Sequence, residues 1–334
     1  MENAEKRRIV VLGGGTGTHT LLSGLKQYGD RIDIKAIVTM TDSGGSTGRL
    51  RDEFGYLPVG DVRMALTALA KDTDESSNIL RELFLYRFNR GGELSGHTLG
   101  NLFLVALTDI LGSEESAIRM ASKVLATCGE VIPVTTDAVH LVAEYNNGMV
   151  ASSEHLIDTG ECVGRESTIA HLTFSERAEA NPYALRAISD ADVIVLGPGD
   201  IYTSILANCI VGGVAGALCA SRAKLVYVAN LMSRNGQTNG MGTHEYLSEI
   251  KRYVGKFPEY MIVNTAPFRS DLLEAYRGEG EHEALHNYSG RETSVIEGDF
   301  VAEDDVVLAK GDVLKRSLIR HDPHKLAHAI MQLV

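Results

Sequence analysis

The sequence lacks the features that mark several large functional classes. No apolar run approaches the ~20 residues that cross a bilayer, so no membrane span is expected. Lys and Arg number 32 against 44 Asp and Glu, a formal net charge of −12. Without a basic stripe to displace counterions, neither general nucleic-acid binding nor docking on anionic membranes is expected. The four cysteines, Cys128, Cys162, Cys209 and Cys219, form no CxxC pair. They are expected to be reduced and mostly buried in a cytoplasmic protein. The N-terminus, MENAEKRRIVVLGGG, meets glycine after four apolar residues, too few for a signal peptide. A P-loop ending in GK[ST] is also missing.

Glycine is what the chain has in excess: 34 of 334 residues, about a tenth, against the usual ~7%. Seventeen of the 34 fall at 13–17, 44–48, 96–100, 197–199, 212–216 and 236–242. Around them, short apolar runs alternate with helical periodicity. IVVL (9–12), IDIKAIVT (32–39), DVIVLGPG, KLVYVANL and YMIVNT read as strands. Helices are expected near 18–28, 62–71, 76–89, 98–111, 114–127, 182–189, 203–220, 243–254 and 322–333. The helix at 98–111, TLGNLFLVALTDIL, is apolar nearly all round and is expected to be buried. HLVAEY-NNG-MVASSEHL carries an Asn-Gly hairpin signal, so a small β excursion is expected over 131–175. Strands that run into glycine loops and then helices predict an α/β, Rossmann-like, doubly wound, mainly parallel sheet, read as a single domain over 1–334. The ligand should sit outside the carboxyl ends of the strands.

Five loops carry candidate chemistry. The first is Gly13, Gly14, Gly15, Thr16 and Gly17, where backbone amides and a helix N-terminus can receive phosphate. It is an imperfect dinucleotide fingerprint, with Thr18 in the last glycine position, and a plain strand-to-helix turn uses the same residues. The second runs Thr41, Asp42, Ser43, Gly44, Gly45, Ser46, Thr47, Gly48 and Arg49. Asp42 can accept from ribose hydroxyls or coordinate a divalent cation, and Arg49 and Arg51 can pair with phosphate. The third, GHTLGN, places His97 and Asn101 four residues apart on one helical face, as ligand contacts or as satisfied structural groups. The fourth, GPGDIYTS, offers Gly197, Gly199, Thr203 and Ser204 as a second anion site. Fifth, Asn230 and Asn264 end two strands, where they can bind a sugar or base edge or cap helices. His321, His324 and His328 have the spacing of a solvated helix face rather than a metal site.

In this order, IVVLGGGTG, TDSGGSTGRLRDEFGYLPVGDVRMALTALA, GHTLGN, GPGDIYTSILAN and RHDPHKLAHAI resemble the YvcK/CofD-like family, and within it the bacterial YvcK branch of gluconeogenesis factors. The likeness runs from about residue 8 to 333. It implies a Rossmann-like fold, binding of a UDP-sugar such as UDP-N-acetylglucosamine, and a cytoplasmic role linking carbon metabolism to peptidoglycan precursor supply and cell shape. It also implies a protein partner in cell-wall precursor synthesis. A homo-oligomer is expected as well. The tyrosine and arginine that hold uridine in that branch match Tyr276 (EAYRGE) and Arg320 (IRHDP), whose flat groups can stack on a base. The CofD branch instead implies a Mg2+-dependent 2-phospho-L-lactate transferase of the deazaflavin cofactor F420. No cofactor is assigned beyond Mg2+ as a candidate, with Asp42 as its ligand and, for a transferase, as the catalytic residue. Two departures bear on metal and sugar: Thr41-Asp42-Ser43 replaces a two-acid stretch, and Asp200 stands where serine is common.

Three function classes follow, in this order. The first is a sugar-nucleotide-binding regulator without turnover, more in keeping with a non-enzyme. The second is a CofD-type transferase of a phosphorus-containing group, which works by positioning and electrostatics and so needs no nucleophile. The third, an NAD-binding oxidoreductase, rests on the first loop alone.

Overall fold

The computed structural model describes residues 5–72, 74–160, 167–303 and 318–334. The first half runs β1 (Arg7–Gly13), α1 (Gly15–Leu25), β2 (Ile32–Val38), α2 (Gly45–Phe54), α3 (Gly60–Leu69), α4 (Glu75–Leu85), α5 (Leu99–Leu111), α6 (Glu114–Val124) and β3 (Glu130–Pro133). Next come β4 (Leu141–Tyr145), β5 (Val150–Ala151), α7 (Glu154–Thr159) and β6 (Ile169–Phe174). The second half runs α8 (Pro182–Asp190), β7 (Val193–Leu196), a π-helical turn (Ile201–Leu206) passing into α9 (Ala207–Cys209), α10 (Val214–Ala220), β8 (Lys224–Val228), α11 (Thr243–Val254), β9 (Tyr260–Asn264), α12 (Ser270–Gly278), β10 (Ser294–Gly298) and α13 (Pro323–Met331).

Seven strands form one parallel sheet in the order β10-β9-β8-β7-β1-β2-β3. Ile9, Val10, Val11 and Leu12 of β1 are at most 1% exposed. That is why the strand reads as an unbroken apolar run: a parallel strand covered on both faces has no polar side to alternate. The chain steps from β1 to β2 and β3 on one side, then returns to start β7 on the other. The strand order therefore reverses between β1 and β7, the position where α/β sheets open a crevice. Leu12 pairs with Leu196 and Gly13 with Val38, so the loops leaving β1, β2 and β7 emerge side by side.

The second sheet is antiparallel, β5-β4-β6, with the expected Asn-Gly turn between β4 and β5. It starts later than the 131 expected from the sequence pattern. β3 belongs to the main sheet, where it pairs with β2, and the excursion covers β4 to β6. Leu141, Ala143, Ile169 and Leu172 of this sheet join the same buried cluster as β1.

Three further expectations change. TDSGGSTG is half helix, since α2 begins at Gly45 within it. The helical run at 203–220 is broken at Gly212-Gly213, where Gly213 takes φ 94°. The apolar helix α5 is buried on one face only, through Gly100, Asn101, Leu104, Val105 and Thr108. Of the cysteines, Cys209 is buried, Cys128 half-buried and Cys219 exposed, all three free; Cys162 lies outside the described residues. No helix among the described residues is long and apolar enough to cross a membrane.

Candidate functional site

The two glycine loops meet at the reversal point. β1 runs straight into α1, whose N-cap, Gly14, is extended and brings no side chain to cap the helix. The first amides of α1 are thus held by other parts of the chain or left for a ligand. Gly15 N–H donates to Asp61 Oδ1 at 2.8 Å. A Cβ on Gly17 would land on the Pro198 carbonyl, so the loops after β1 and β7 touch through backbone. Asn208, unmarked from sequence, fastens them: its Nδ2 donates to the Gly13 carbonyl at 3.2 Å and to the Ser204 carbonyl at 2.7 Å. Asn230 does the same from β8, donating to the Gly199 carbonyl at 2.8 Å while accepting from the Tyr227 hydroxyl at 2.9 Å. Asn230 therefore shapes the loop rather than presenting a free amide. Thr203 is buried in the π-helical turn and Ser204 half-buried. Thr16 is also half-buried, and its carbonyl accepts from the Thr20 hydroxyl.

Acidic side chains gather opposite these amides. Asp42 ends the segment after β2, Asp61 lies in the first turn of α3, Glu154 and Asp158 stand one turn apart on α7, and Asp200 follows the second glycine loop. All five keep part of their surface open while protein surrounds them, as at the bottom of a cleft. A Cβ on Gly60 would land on Asp42 Oδ2, and one on Gly14 would land on Asp61 Oδ2. Two glycines thus leave room for two neighbouring carboxylates. Asp42 Oδ1 accepts from the Gly44 amide at 2.9 Å.

Burial pushes Asp61 up to about 7, with the Asp42 charge adding to the shift and the Gly15 amide opposing it. Asp42 is also raised by burial, against the Gly44 and Thr47 hydrogen bonds and the Arg63 charge. Glu154 is pushed well up by burial and by Asp42 and Asp158, and Asp200 is raised by burial against the pull of Arg234. Arg234 is the main countercharge: Nη2 lies 2.7 Å from Asp158 and Nη1 3.5 Å from Glu281. Burial alone would lower its pKa, but Asp200, Asp158 and Glu281 outweigh it and raise it.

Ser43 and Gly44 bridge this cleft to the small sheet. The Ser43 amide donates to Glu154 Oε2 at 3.3 Å and its Oγ accepts from the His155 amide at 2.9 Å. Ser46, one residue past Gly45 at the start of α2, belongs to a buried network. Its Oγ lies 3.0 Å from His97 Nδ1 and accepts from Asn101 Nδ2 at 3.1 Å, and Asn101 Oδ1 accepts from Arg63 Nε at 2.8 Å. Asn101 Nδ2 fills the Ser46 acceptor, so the serine hydroxyl is free to donate to His97. Burial and Arg49 both lower the His97 pKa. His97 precedes α5 rather than riding on it, so it and Asn101 meet through Ser46 and not as an i,i+4 pair. Arg49 turns away to the Ser95 carbonyl at 2.9 Å, and Arg51 reaches the Val139 carbonyl at 2.8 Å.

The expected base-stacking tyrosine is differently employed. Tyr276 is 7% exposed, packed with Leu231 and Ile319, and its hydroxyl accepts from the Leu318 and Ile319 amides at 2.9 and 3.2 Å. Its ring is not open to a base. It instead pins the chain just before Arg320. The next residue, His321, is hydrogen-bonded to the Ala229 backbone and lowered to about 4 by burial, which sets this segment beside the end of β8. Asn264 is likewise consumed at the end of β9: Nδ2 donates to the Ala266 carbonyl and Oδ1 accepts from the Phe300 amide. A cavity of about 510 Å³ lies next to it, lined by Phe268, Arg269, Leu272, Val301 and Leu318 among others.

A basic neighbourhood complements the acids. His19 on α1 is lowered to about 3, by burial first and then by the charges of Arg81, Arg63, Lys26 and Arg320. The crevice therefore offers backbone amides and carboxylates, and these cations stand near His19 on α1. Among the described residues, no three His, Cys, Asp or Glu side chains come together as a metal cage. The neighbouring pair Asp42 and Asp61 fits a different arrangement, in which Mg2+ takes one or two carboxylates and completes its shell with waters and ligand phosphates. Asp61, Glu154, Asp158 and Arg234 were not marked from sequence. Only Asp61 left a local trace, as the acid opening the helix in GDVRM.

A family model described as 2-phospho-L-lactate transferase CofD matches residues 9–301. The gluconeogenesis factor of Bacillus subtilis is 36% identical over 332 residues, covering 99% of each chain. A relative from Thermotoga maritima is 39% identical over 326 residues, 98% of this chain and 99% of that one. A crystal structure of a Bacillus halodurans protein superposes with a TM-score of 0.87 at 34% identity, covering 98% of this chain and 100% of that one.

Proposed function

Because the chain belongs to the CofD/YvcK family, we propose that it is a cytoplasmic regulator that binds a nucleotide diphosphate sugar of the UDP-N-acetylglucosamine kind at the β1/β7 crevice. On this reading it couples carbon supply to cell-wall precursor synthesis and cell shape through a protein partner. One observation carries the binding proposal: the glycine loops after β1 and β7 abut at the reversal of strand order, facing Asp42 and Asp61. Free amides at a helix N-terminus receive phosphate oxygens, and their dipole favours the negative charge. Asp42 and Asp61 would hold Mg2+, which when bound neutralises phosphate charge and relieves the repulsion between the carboxylates. Arg320 follows the Leu318 and Ile319 amides that Tyr276 holds and is near enough to His19 on α1 to act on its charge, and on this reading its guanidinium meets the base or a phosphate. The gluconeogenesis-factor relatives, matched end to end, support the regulatory reading.

The test is thermal shift against UDP-N-acetylglucosamine, UDP-glucose, GDP and NAD, each with and without Mg2+. Uridine-selective stabilisation, greater with Mg2+, and recovery of intact ligand are expected. Stabilisation by GDP alone and only with Mg2+ would overturn it.

The Asp42–Asp61 pair also favours a second reading, a Mg2+-dependent transferase of the CofD type. Two desolvated carboxylates beside a phosphate cradle suit phosphoryl chemistry, where positioning and charge neutralisation do most of the catalysis. Chromatographic detection of nucleotide released from a sugar- or lactate-linked donor, dependent on Mg2+ and abolished in Asp42→Asn, would favour it over the regulator.

A further inference from the structure

One strip of α1 holds two hydrogen-bonding side chains that the rest of the protein does not use. His19 and Ser23 stand four residues apart, on one face of the helix. His19 Nε2 and Ser23 Oγ are both shut off from solvent, and neither meets a hydrogen-bond partner among the described residues. A helical serine or threonine can satisfy itself on the carbonyl four residues earlier. Thr20 does so on this helix, donating to the Thr16 carbonyl at 3.0 Å, and Ser23 does not. Buried polar groups left unpaired cost stability, so two on one strip point to a group that answers them.

Two walls flank the strip. On one side is the corner between α3 and α4: Lys26 Nζ donates to the Ala70 carbonyl at 3.1 Å, and Arg81 Nε donates to the Thr67 carbonyl at 3.2 Å. On the other is the segment that leads into α13: Gln27 Nε2 lies 3.0 Å from His324 Nδ1, and a Cβ on Gly24 would land on the Pro323 carbonyl. Gln27 and His324 are exposed, so the strip opens to solvent at that end. Every charge that acts on His19 is positive, Arg81 foremost, in a chain whose net charge is −12. Asp72 neutralises Lys26, and Arg63 donates to Asn101. Among the described residues, no carboxylate pairs with the half-buried Arg81. An imidazole nitrogen, a hydroxyl and a guanidinium, carried by two helices, suit a tetrahedral oxyanion, whose oxygens point in several directions. The strip is also separate from the glycine loop. His19 and Ser23 lie about 6 and 12 Å along the α1 axis from Gly15, whose amide is held by Asp61.

We propose that this strip binds a phosphoryl group, as the free ion or as the end of a small phosphomonoester, with Ser23 Oγ and His19 Nε2 donating to its oxygens and Arg81 neutralising its charge. The assignment does not depend on which nucleotide the crevice takes.

Nuclear magnetic resonance of the full chain labelled at histidine tests it, with the His19 ring signals identified by their loss in His19→Gln. Titration at pH 7 with inorganic phosphate or glycerol 3-phosphate should shift those signals saturably, and acetate at equal ionic strength should not. Tighter binding of glycerol 3-phosphate assigns the site to a phosphomonoester, and equal binding assigns it to the ion; both support the proposal. Arg81→Gln and Ser23→Ala should each weaken the response about tenfold or more. Ser23→Ala places a stronger helix former on α1, so it keeps the test open should Arg81→Gln fail to fold. Gly14→Ala, which alters the glycine loop, should leave the His19 response intact. The proposal is overturned by His19 signals that do not move with phosphate, by an equal response to acetate, or by a response that survives Ser23→Ala unchanged. Loss of the response in Gly14→Ala also overturns it, because the phosphate is then held by the glycine loop.

Discussion

Gly14 is a glycine for reasons of space. Its φ of −163° is extended backbone that any residue adopts, but a methyl group there would occupy the place of Asp61 Oδ2 and crowd Thr39. Gly14→Ala should therefore fold, push the carboxylate off the Gly15 amide and weaken nucleotide binding about tenfold or more, read by calorimetric titration. Asp61 itself has a raised pKa, so in the window from 3.8 to about 7 the folded state keeps a proton that the unfolded chain has released. Stability from this group therefore falls as pH rises through that window. Asp61→Asn keeps an acceptor for Gly15 and removes the charge. The variant should gain melting temperature relative to wild type between pH 5 and pH 8 in metal-free buffer, while losing Mg2+-dependent stabilisation by nucleotide. A difference that does not change with pH would contradict this. Stability gained as function is lost is the expected pattern for a site that holds repelling charges ready for a ligand.

At the scale of elements, α12 acts on the crevice through a hydroxyl. Tyr276 ties the helix to the Leu318 and Ile319 amides, and Arg320 follows directly. Tyr276→Phe retains the ring and removes only the acceptor. It should cost about 1–3 kcal/mol by leaving two amides unpaired, and it should weaken nucleotide binding by loosening Arg320. Were the ring a stacking platform, the phenylalanine would be nearly neutral; a binding titration separates the two roles. α5 shows how far local pattern reaches. Its thirteen residues are mostly apolar, and periodicity correctly places a helix there, but a helix apolar all round has no marked inner face. The inner face is chosen by packing: Gly100, Leu104 and Val105 turn inward, and Ile110 is left in solvent.

At the scale of the whole molecule, the small sheet and the main sheet are joined by opposite charges at the crevice. Arg234, in the segment after β8, holds Asp158 of α7 and Glu281 beyond α12, with Asp200 nearby. Arg234→Gln leaves these acids to face one another. A loss of about 1.5–3 kcal/mol is expected near neutral pH, as for charged hydrogen bonds lost from a partly buried pair. The loss should shrink as pH is lowered from 8 toward 4, because Asp200 and Glu281, both raised by burial, take up protons before ordinary carboxyls do. Thermal melts of wild type and variant across that range check both the size and the direction.

The sequence alone determined what depends on neighbours in the chain. Apolar runs of four to eight residues ending in glycine mark buried parallel strands, because such strands have no polar face and their tight exits need residues without side chains. From this the sheet, the glycine loops at 13–17 and 197–199, and the crevice at the strand ends were legible. Tertiary structure decided which side chains share that crevice. Asp42, Asp61, Glu154, Asp158, Asp200 and Arg234 come from five separate stretches of the chain, and only Asp42 is marked as a site residue by its local sequence. Their altered proton affinities arise only when folding strips water from them and sets like charges together. Tyr276 makes the same point in reverse: its sequence context marks a base contact, and packing commits its hydroxyl to the backbone next to Arg320.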